Sequence, residues 1–242
     1  MSVMAVSQHT IAGTVLTMPV RIRKADMHSA MFSVPAAPTQ KLIDYSGLSV
    51  CEYLPGKAIV MQMLVRYVDG DLGQYHEYGT AVMVNPPGSQ ARRARGPRAL
   101  GRAAAFIHHL PVDQSFTLEA GRTIWGFPKI MADFNVREGP KFGFDVSADG
   151  QLIAGIEFGN GLRLPTRGTQ TLKTYSHQDG VTREIPWEMK ISGLRARLGG
   201  ARMRLGDHPY AKELASLGLP KRALASQSAA NVEMTFGDAH AL

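Results

Sequence analysis

From Thr14 to Phe236 the chain is a succession of short segments rich in Val, Ile, Thr, Phe and Tyr, broken by Gly, Pro and Asp-Gly turns. β-Branched and aromatic side chains fit the pleated, half-buried surface of a sheet, and turns this frequent leave little room for long helices. The predicted strands cover residues 14–22, 48–54, 57–68, 76–84, 104–110, 130–136, 141–147, 152–159, 169–176 and 231–236. Ala148-Asp149-Gly150, between two of these segments, reads as a hairpin turn. Helical patterns are short: 39–45 after Pro38, a segment capped by Asp113 and stopped at Gly121, and 209–218 with Pro209 in its first turn. With no internal repeat or low-complexity linker, the expectation is a mainly antiparallel β, α+β protein. It forms one domain over residues 1–242, with 1–13 a loosely ordered N-terminal segment.

At 242 residues and 44% hydrophobic composition the chain can bury a substantial core. Its formal charge of +7 is concentrated in residues 91–102, where Arg92, Arg93, Arg95, Arg98 and Arg102 surround a Gly-Pro turn. No aromatic residues interleave to stack on bases, which argues against a nucleic-acid partner. A solvated loop, a subunit contact and a guide for an anionic substrate all remain open for this run. The single cysteine, Cys51, excludes an internal disulfide framework and points to a reducing cytoplasm. No clustered His/Cys spacing predicts a metal site, and His108 and His109 read as structural residues. The opening residues lack a basic leader, and Gln8, His9 and Thr10 interrupt their apolar run, so neither a signal peptide nor a membrane span is expected.

One stretch does not fit a plain β scaffold. In GRTIWGFPKIM, residues 121–131, Lys129 follows Trp125-Gly126-Phe127-Pro128 and precedes Ile130-Met131. A lysine beside a proline in a β protein is ordinarily a strand-edge residue with its head in water. Apolar burial would instead disfavour the ammonium and expose a free amine. Such an amine condenses with a ketone, and the iminium is an electron sink for a bond breaking at the adjacent carbon. Decarboxylation of a β-keto acid, retro-aldol cleavage and enamine formation all use that sink, and the residues alone do not choose among them.

GRTIWGFPKIMADF resembles the signature of the acetoacetate decarboxylase family, the standard illustration of this lysine chemistry. The resemblance extends to DLGQYHEYGTAVMV, residues 71–84, and to the C-terminal segment from Gly200 to Ala239, and so spans about Leu16 to Ala239. It implies a β barrel or cone with a few short flanking helices, a homo-oligomer, no cofactor or metal, and a small keto acid or ketone as partner. By position it gives Lys129 the Schiff-base role and Glu77, between Tyr75, His76 and Tyr78, the task of orienting substrate or relaying a proton.

The departures are as informative as the matches. The family's second lysine, which follows the first, is replaced by Ile130, leaving desolvation by Trp125, Phe127 and Ile130 as the expected means of activation. A second pocket carboxylate falls on Gln62, which can hold a carbonyl by hydrogen bonds but cannot transfer a proton. Arg21 and Arg23 lie in the region that would supply an arginine for a substrate carboxylate. The leading expectation is a Schiff-base lyase decarboxylating a β-keto acid. The alternatives are an aldolase or dehydratase acting on a pyruvate-like keto acid, and a binding protein without turnover.

Overall fold

The computed structural model describes residues 6–88, 96–166 and 168–242. Strands β1 (Gln8–Ile11), β2 (Thr14–Thr17) and β3 (Val20–Pro35) lead into α1 (Ala36–Ile43), a 3-10 turn (Asp44–Ser46) and β4 (Ser49–Val50). The chain continues as β5 (Lys57–Gly70), β6 (Tyr75–Asn85), α2 (Pro97–Leu100), β7 (Ala104–His109) and α3 (Ser115–Trp125). There follow β8 (Asp133–Arg137), β9 (Phe142–Ala148), β10 (Gln151–Phe158), β11 (Leu162–Arg163) and β12 (Gln170–Gln178). Last come β13 (Val181–Leu198), β14 (Ala201–Leu205), α4 (Pro209–Ser216), β15 (Ala225–Phe236) and β16 (His240–Ala241).

Strands β13, β12, β7, β6, β5, β3 and β15 are hydrogen-bonded in that order, and β15 pairs back onto β13 to close a seven-stranded barrel. Closure removes the exposed edges of the sheet. Every pairing in the ring is antiparallel except β7 with β12. A second sheet, ordered β14-β10-β9-β8, packs outside the barrel.

Alternation along each strand divides the barrel residues between two apolar clusters. Phe32, Leu64, Tyr78, Val82 and Phe106 face outward and join Phe144, Ile156 and Phe158 of the second sheet and Leu214 of α4. Ile22, Met27, Val65, Tyr75 and Met234 face inward, where Trp125 and Phe127 from the α3 region join them. At one end of the barrel α3 packs against β1.

Several sequence expectations are corrected here. Residues 8–11, expected to be loosely ordered, pair with β2 and bury Ile11, while residues 1–5 lie outside the described residues. The strand expected over 14–22 is interrupted at Met18-Pro19 and resumes as the 16-residue β3, whose polar positions hide its alternation. β13 was missed because Pro186 argues against a central strand. Its carbonyl accepts from the Gly237 N–H just past the end of β15. The proline nitrogen faces the same side, and the Gly237 carbonyl that it cannot serve accepts instead from Trp125 Nε1 at 2.8 Å. The helix expected to be capped by Asp113 is capped by the Gln114 side chain, which accepts from the Thr117 N–H at 2.9 Å. Asp113 instead accepts from the backbone N–H of His76 and contacts its ring, both at 2.7 Å. Of the basic run, Arg92, Arg93 and Arg95 lie outside the described residues.

A bulge in β7 ties α4 to the barrel. Thr80 pairs with His109 and Ala81 with Ile107, so His108 is an extra residue that re-aims its neighbour. Both imidazoles then reach Oε2 of Glu213, His108 at 3.0 Å and His109 at 2.6 Å. Burial pushes His109 down to about 4, outweighing its hydrogen bond to Glu213. An imidazole in the unfolded chain titrates near about 6.5, so between about 6.5 and 4 the unfolded state binds the extra proton. The stability tied to neutral His109 is therefore complete above that window and lost as pH falls through it. Denaturant titrations are expected to show a loss of about 3 kcal/mol across the window, with most of the slope removed in His109→Gln.

Candidate active site

The path of the chain from α3 to Lys129 is set by glycines and one arginine. α3 runs past the expected stop at Gly121 and ends at Gly126, whose φ of 61° is left-handed. The Gly126 N–H bonds to Arg122 O, and the Phe127 N–H reaches back to Gly121 O at 3.0 Å. Arg122 donates from Nε and Nη2 to the Lys129 carbonyl at 2.9 and 2.5 Å, clamping the lysine backbone against the helix that precedes it. The Lys129 side chain then crosses α3 at Gly121, where a Cβ would lie 2.5 Å from Cε and 2.6 Å from Cδ. The Gly-Arg pair of the motif therefore positions the lysine, one residue by being small and the other by holding a carbonyl.

Lys129 is 3% exposed, and its Nζ lies 2.8 Å from Oε2 of Glu77 and 3.1 Å from Oγ1 of Thr117. Tyr67 donates to the other Glu77 oxygen at 2.9 Å. The Tyr75 ring lies 5.3 Å from the lysine nitrogen and stacks on Tyr67. Burial, followed by the negative charge of Glu77, holds both phenols well above their ordinary range, so they remain protonated donors. The expectation of a wholly apolar setting is thus corrected. The lysine stem is wrapped by apolar groups while its head is paired with a carboxylate, which comes from β6 and could not be read from the motif around Lys129.

This pair sits in the barrel lumen. A cavity of about 260 Å³ is lined by residues from all seven ring strands together with Trp125, Phe127 and Lys129. Tyr75, Glu77, Trp125 and Phe127 stand where the sequence expected them, on the pocket wall with the lysine. Ile130, Gln62, Arg21 and Arg23 do not. In the extended segment after Phe127, consecutive side chains point to opposite sides, so Ile130 packs against the outer cluster and does not dry the amine. Gln62 is fully buried on the outer face of β5, where Oε1 accepts from Tyr78 and, at 2.9 Å, from Thr80. Cavity residues Met61 and Met63 flank it, as the period of two requires. Arg21 is exposed, and Arg23 forms exposed ion pairs with Asp69 and Asp71. Among the described residues no arginine lines the cavity.

Thr117, Tyr67 and the methionine wall escaped sequence reasoning. Thr117 lies twelve residues before Lys129 but faces it only because α3 turns the chain back. Outside the lumen, His108, His109 and Glu213 bring ligand-type atoms within 4.8 Å of one another, the set among the described residues that could hold a metal ion. Their hydrogen bonds to one another already satisfy the facing atoms.

Comparison with known proteins decides the family. A family model described as acetoacetate decarboxylase matches residues 7–241. The chain belongs to the acetoacetate decarboxylase family. Among solved structures it is similar to the acetoacetate decarboxylase of Legionella pneumophila subsp. pneumophila str. Philadelphia 1, with 17% identity over 93% of this chain and 87% of that one and a TM-score of 0.64. An acetoacetate decarboxylase-like enzyme from Sphingomonas wittichii RW1 aligns over 98% of this chain and all of its own, at 16% identity and TM-score 0.64. The enduracididine biosynthesis enzyme MppR, solved in complex with pyruvate, aligns over 93% and 91% at 14% identity and TM-score 0.63. At these identities the structures establish the shared fold. No curated protein sequence matches the chain significantly. Among the described residues no helix is long and apolar enough to cross a membrane.

The close passage of Lys129 over Gly121 gives a direct test of the site's construction. Gly121→Ala forces the lysine tip aside and is expected to separate it from Glu77, costing about 3–5 kcal/mol, the range for breaking a buried ion pair. Chemical denaturation measures this loss, and Thr123→Ala, exposed on the same helix, should shift stability by no more than about 0.5 kcal/mol.

Proposed function

We propose that this protein is a cofactor-independent Schiff-base lyase that decarboxylates a β-keto acid through Lys129. The observation that carries the reading is the buried contact of Lys129 Nζ with Glu77 Oε2, at 2.8 Å, in the wall of a largely apolar lumen. A proton passing across that contact gives a neutral amine and a carboxylic acid. The amine adds to the keto carbon, and Glu77 returns its proton so that the carbonyl oxygen leaves as water. The product is an iminium facing a carboxylate.

The carbon–carboxylate bond then breaks, carbon dioxide departs, and the electron pair enters the iminium to form an enamine. One proton from solvent, relayed by Glu77, is added to the enamine carbon. Water then hydrolyses the new iminium, releasing the ketone and restoring the lysine. Thr117 and Tyr67 keep the two partners in place by hydrogen bonds to Lys129 and Glu77 respectively.

The expected homo-oligomer in a reducing cytoplasm accompanies this reading, and the unpaired, buried thiol of Cys51 agrees with such a compartment. An aldolase or dehydratase acting on a pyruvate-like keto acid is the second reading, favoured by the fold shared with the pyruvate-bound enzyme. The lumen favours the first: among the described residues it offers no arginine for a carboxylate that must be retained through the reaction. Carbon dioxide release from a β-keto acid supports decarboxylation, whereas condensation of pyruvate with an aldehyde supports the second reading.

Borohydride reduction with a β-keto acid should add mass to the peptide carrying Lys129, and Lys129→Met should abolish the adduct. Glu77→Gln is expected to lower kcat by roughly 10²–10⁴-fold, the usual contribution of a positioned acid–base group. Each single change leaves one partner of a buried pair unmatched, so the double variant Lys129→Met/Glu77→Gln should be more stable than either in thermal denaturation.

A further inference from the structure

The lumen is far longer than the reacting atoms require. Glu77 and Met83 both line it and stand on the same face of β6, six residues apart. At about 3.4 Å per residue, this is a run of roughly 20 Å. Gly79 and Ala81, the residues between them on that face, are small. The walls are formed by Met27, Met31, Met61, Met63, Met189 and Met234, which together with Met83 account for seven of the chain's 12 methionines. Unbranched thioether side chains adapt to flexible apolar ligands. Beyond the Glu77–Lys129 pair and the phenols of Tyr67 and Tyr75, the polar lining side chains include Gln227 of β15 and Lys173 and Thr174 of β12. Glu77 and Lys129 mark the reactive end, while Lys173 and Thr174 come from β12, beside the Ala104–Ala105 start of β7. Lys173 is largely exposed and paired with Glu184 at 2.9 Å.

We propose that the substrate is a 3-oxo acid carrying an unbranched alkyl tail of medium length. The tail lies along the methionine-lined lumen while the keto carbon sits at Lys129. This rests on the Schiff-base reading above and adds to it the substrate class. A four-carbon acid would leave most of the lumen unfilled. A tail running from Glu77 towards Met83 passes Gly79 and Ala81 beneath the methionine wall and leaves the carboxylate beside Glu77 and Lys129. The same lining excludes a second charged group on the tail, because no described cation lies between Lys129 and Lys173 to compensate for its desolvation.

The chain's two tryptophans, Trp125 and Trp187, both line the cavity, so intrinsic fluorescence reports its occupancy independently of covalent chemistry. Methyl ketones from 2-butanone to 2-nonanone would be titrated against the full-length protein, with cyanoborohydride trapping and peptide mass analysis in parallel. Dissociation constants should fall about fourfold per added methylene, the equivalent of ~0.8 kcal/mol for each buried CH₂. Met61→Gln, in the lumen wall on β5 opposite Ala81, should flatten the chain-length series. Affinity that is flat or falls with chain length, with short ketones still trapped, would overturn the tail and leave the Schiff base standing. Chain-length-dependent fluorescence changes without any adduct would support the apolar tail site and overturn the Schiff-base reading on which its catalytic use rests.

Discussion

A lysine ammonium and a carboxylate 2.8 Å apart inside a protein are costly to bury singly and tolerable only together. The rest of the site is organised around that constraint. β6 delivers Glu77 from the barrel wall, and the turn after α3 delivers Lys129. Gly121 lets the lysine stem lie against the helix, Arg122 fixes its carbonyl, and Tyr67 and Thr117 supply the remaining hydrogen bonds. A displacement of any of these by an ångström would leave a buried charge facing apolar atoms.

The barrel makes such a site possible because strand alternation separates two tasks. Outward-facing residues pack against the second sheet and hold the fold, which frees the inward face from providing all of the core. β6 shows the division within one strand. Tyr75, Glu77 and Met83 line the lumen, whereas Tyr78 and Val82 belong to the outer cluster. A largely apolar space beside the buried Lys129–Glu77 ion pair is the result, and a flexible apolar chain is what such a space can hold.

Most strands and the unusual setting of Lys129 were legible in the sequence because both depend on local pattern. The mainly antiparallel β class followed from β-branched runs between turns, and Lys129 from the motif that surrounds it. What depended on long-range placement was not legible. Gln62 and Ile130 were assigned to the pocket, but strand parity turns both to the outer face. Arg21 and Arg23 had the right charge in the right region, yet Arg21 is exposed and Arg23 pairs with Asp69 and Asp71 at the surface. β13 was hidden by Pro186, whose missing donor falls just beyond the end of its neighbour. The role of desolvation was misjudged for the same reason, since the carboxylate facing Lys129 lies 52 positions away in the chain (129 − 77) and meets it only through the fold.

In the proposed reaction Lys129, paired with Glu77, is the nucleophile of the lumen. A crystal structure of the protein after cyanoborohydride reduction with a methyl ketone tests this role most directly. Continuous electron density from Lys129 Nζ to the ligand carbon is expected, with Glu77 within hydrogen-bond reach of the new amine. Density joined to Lys173, the other lysine lining the cavity, or ligand lying in the lumen unattached to Lys129 would contradict it.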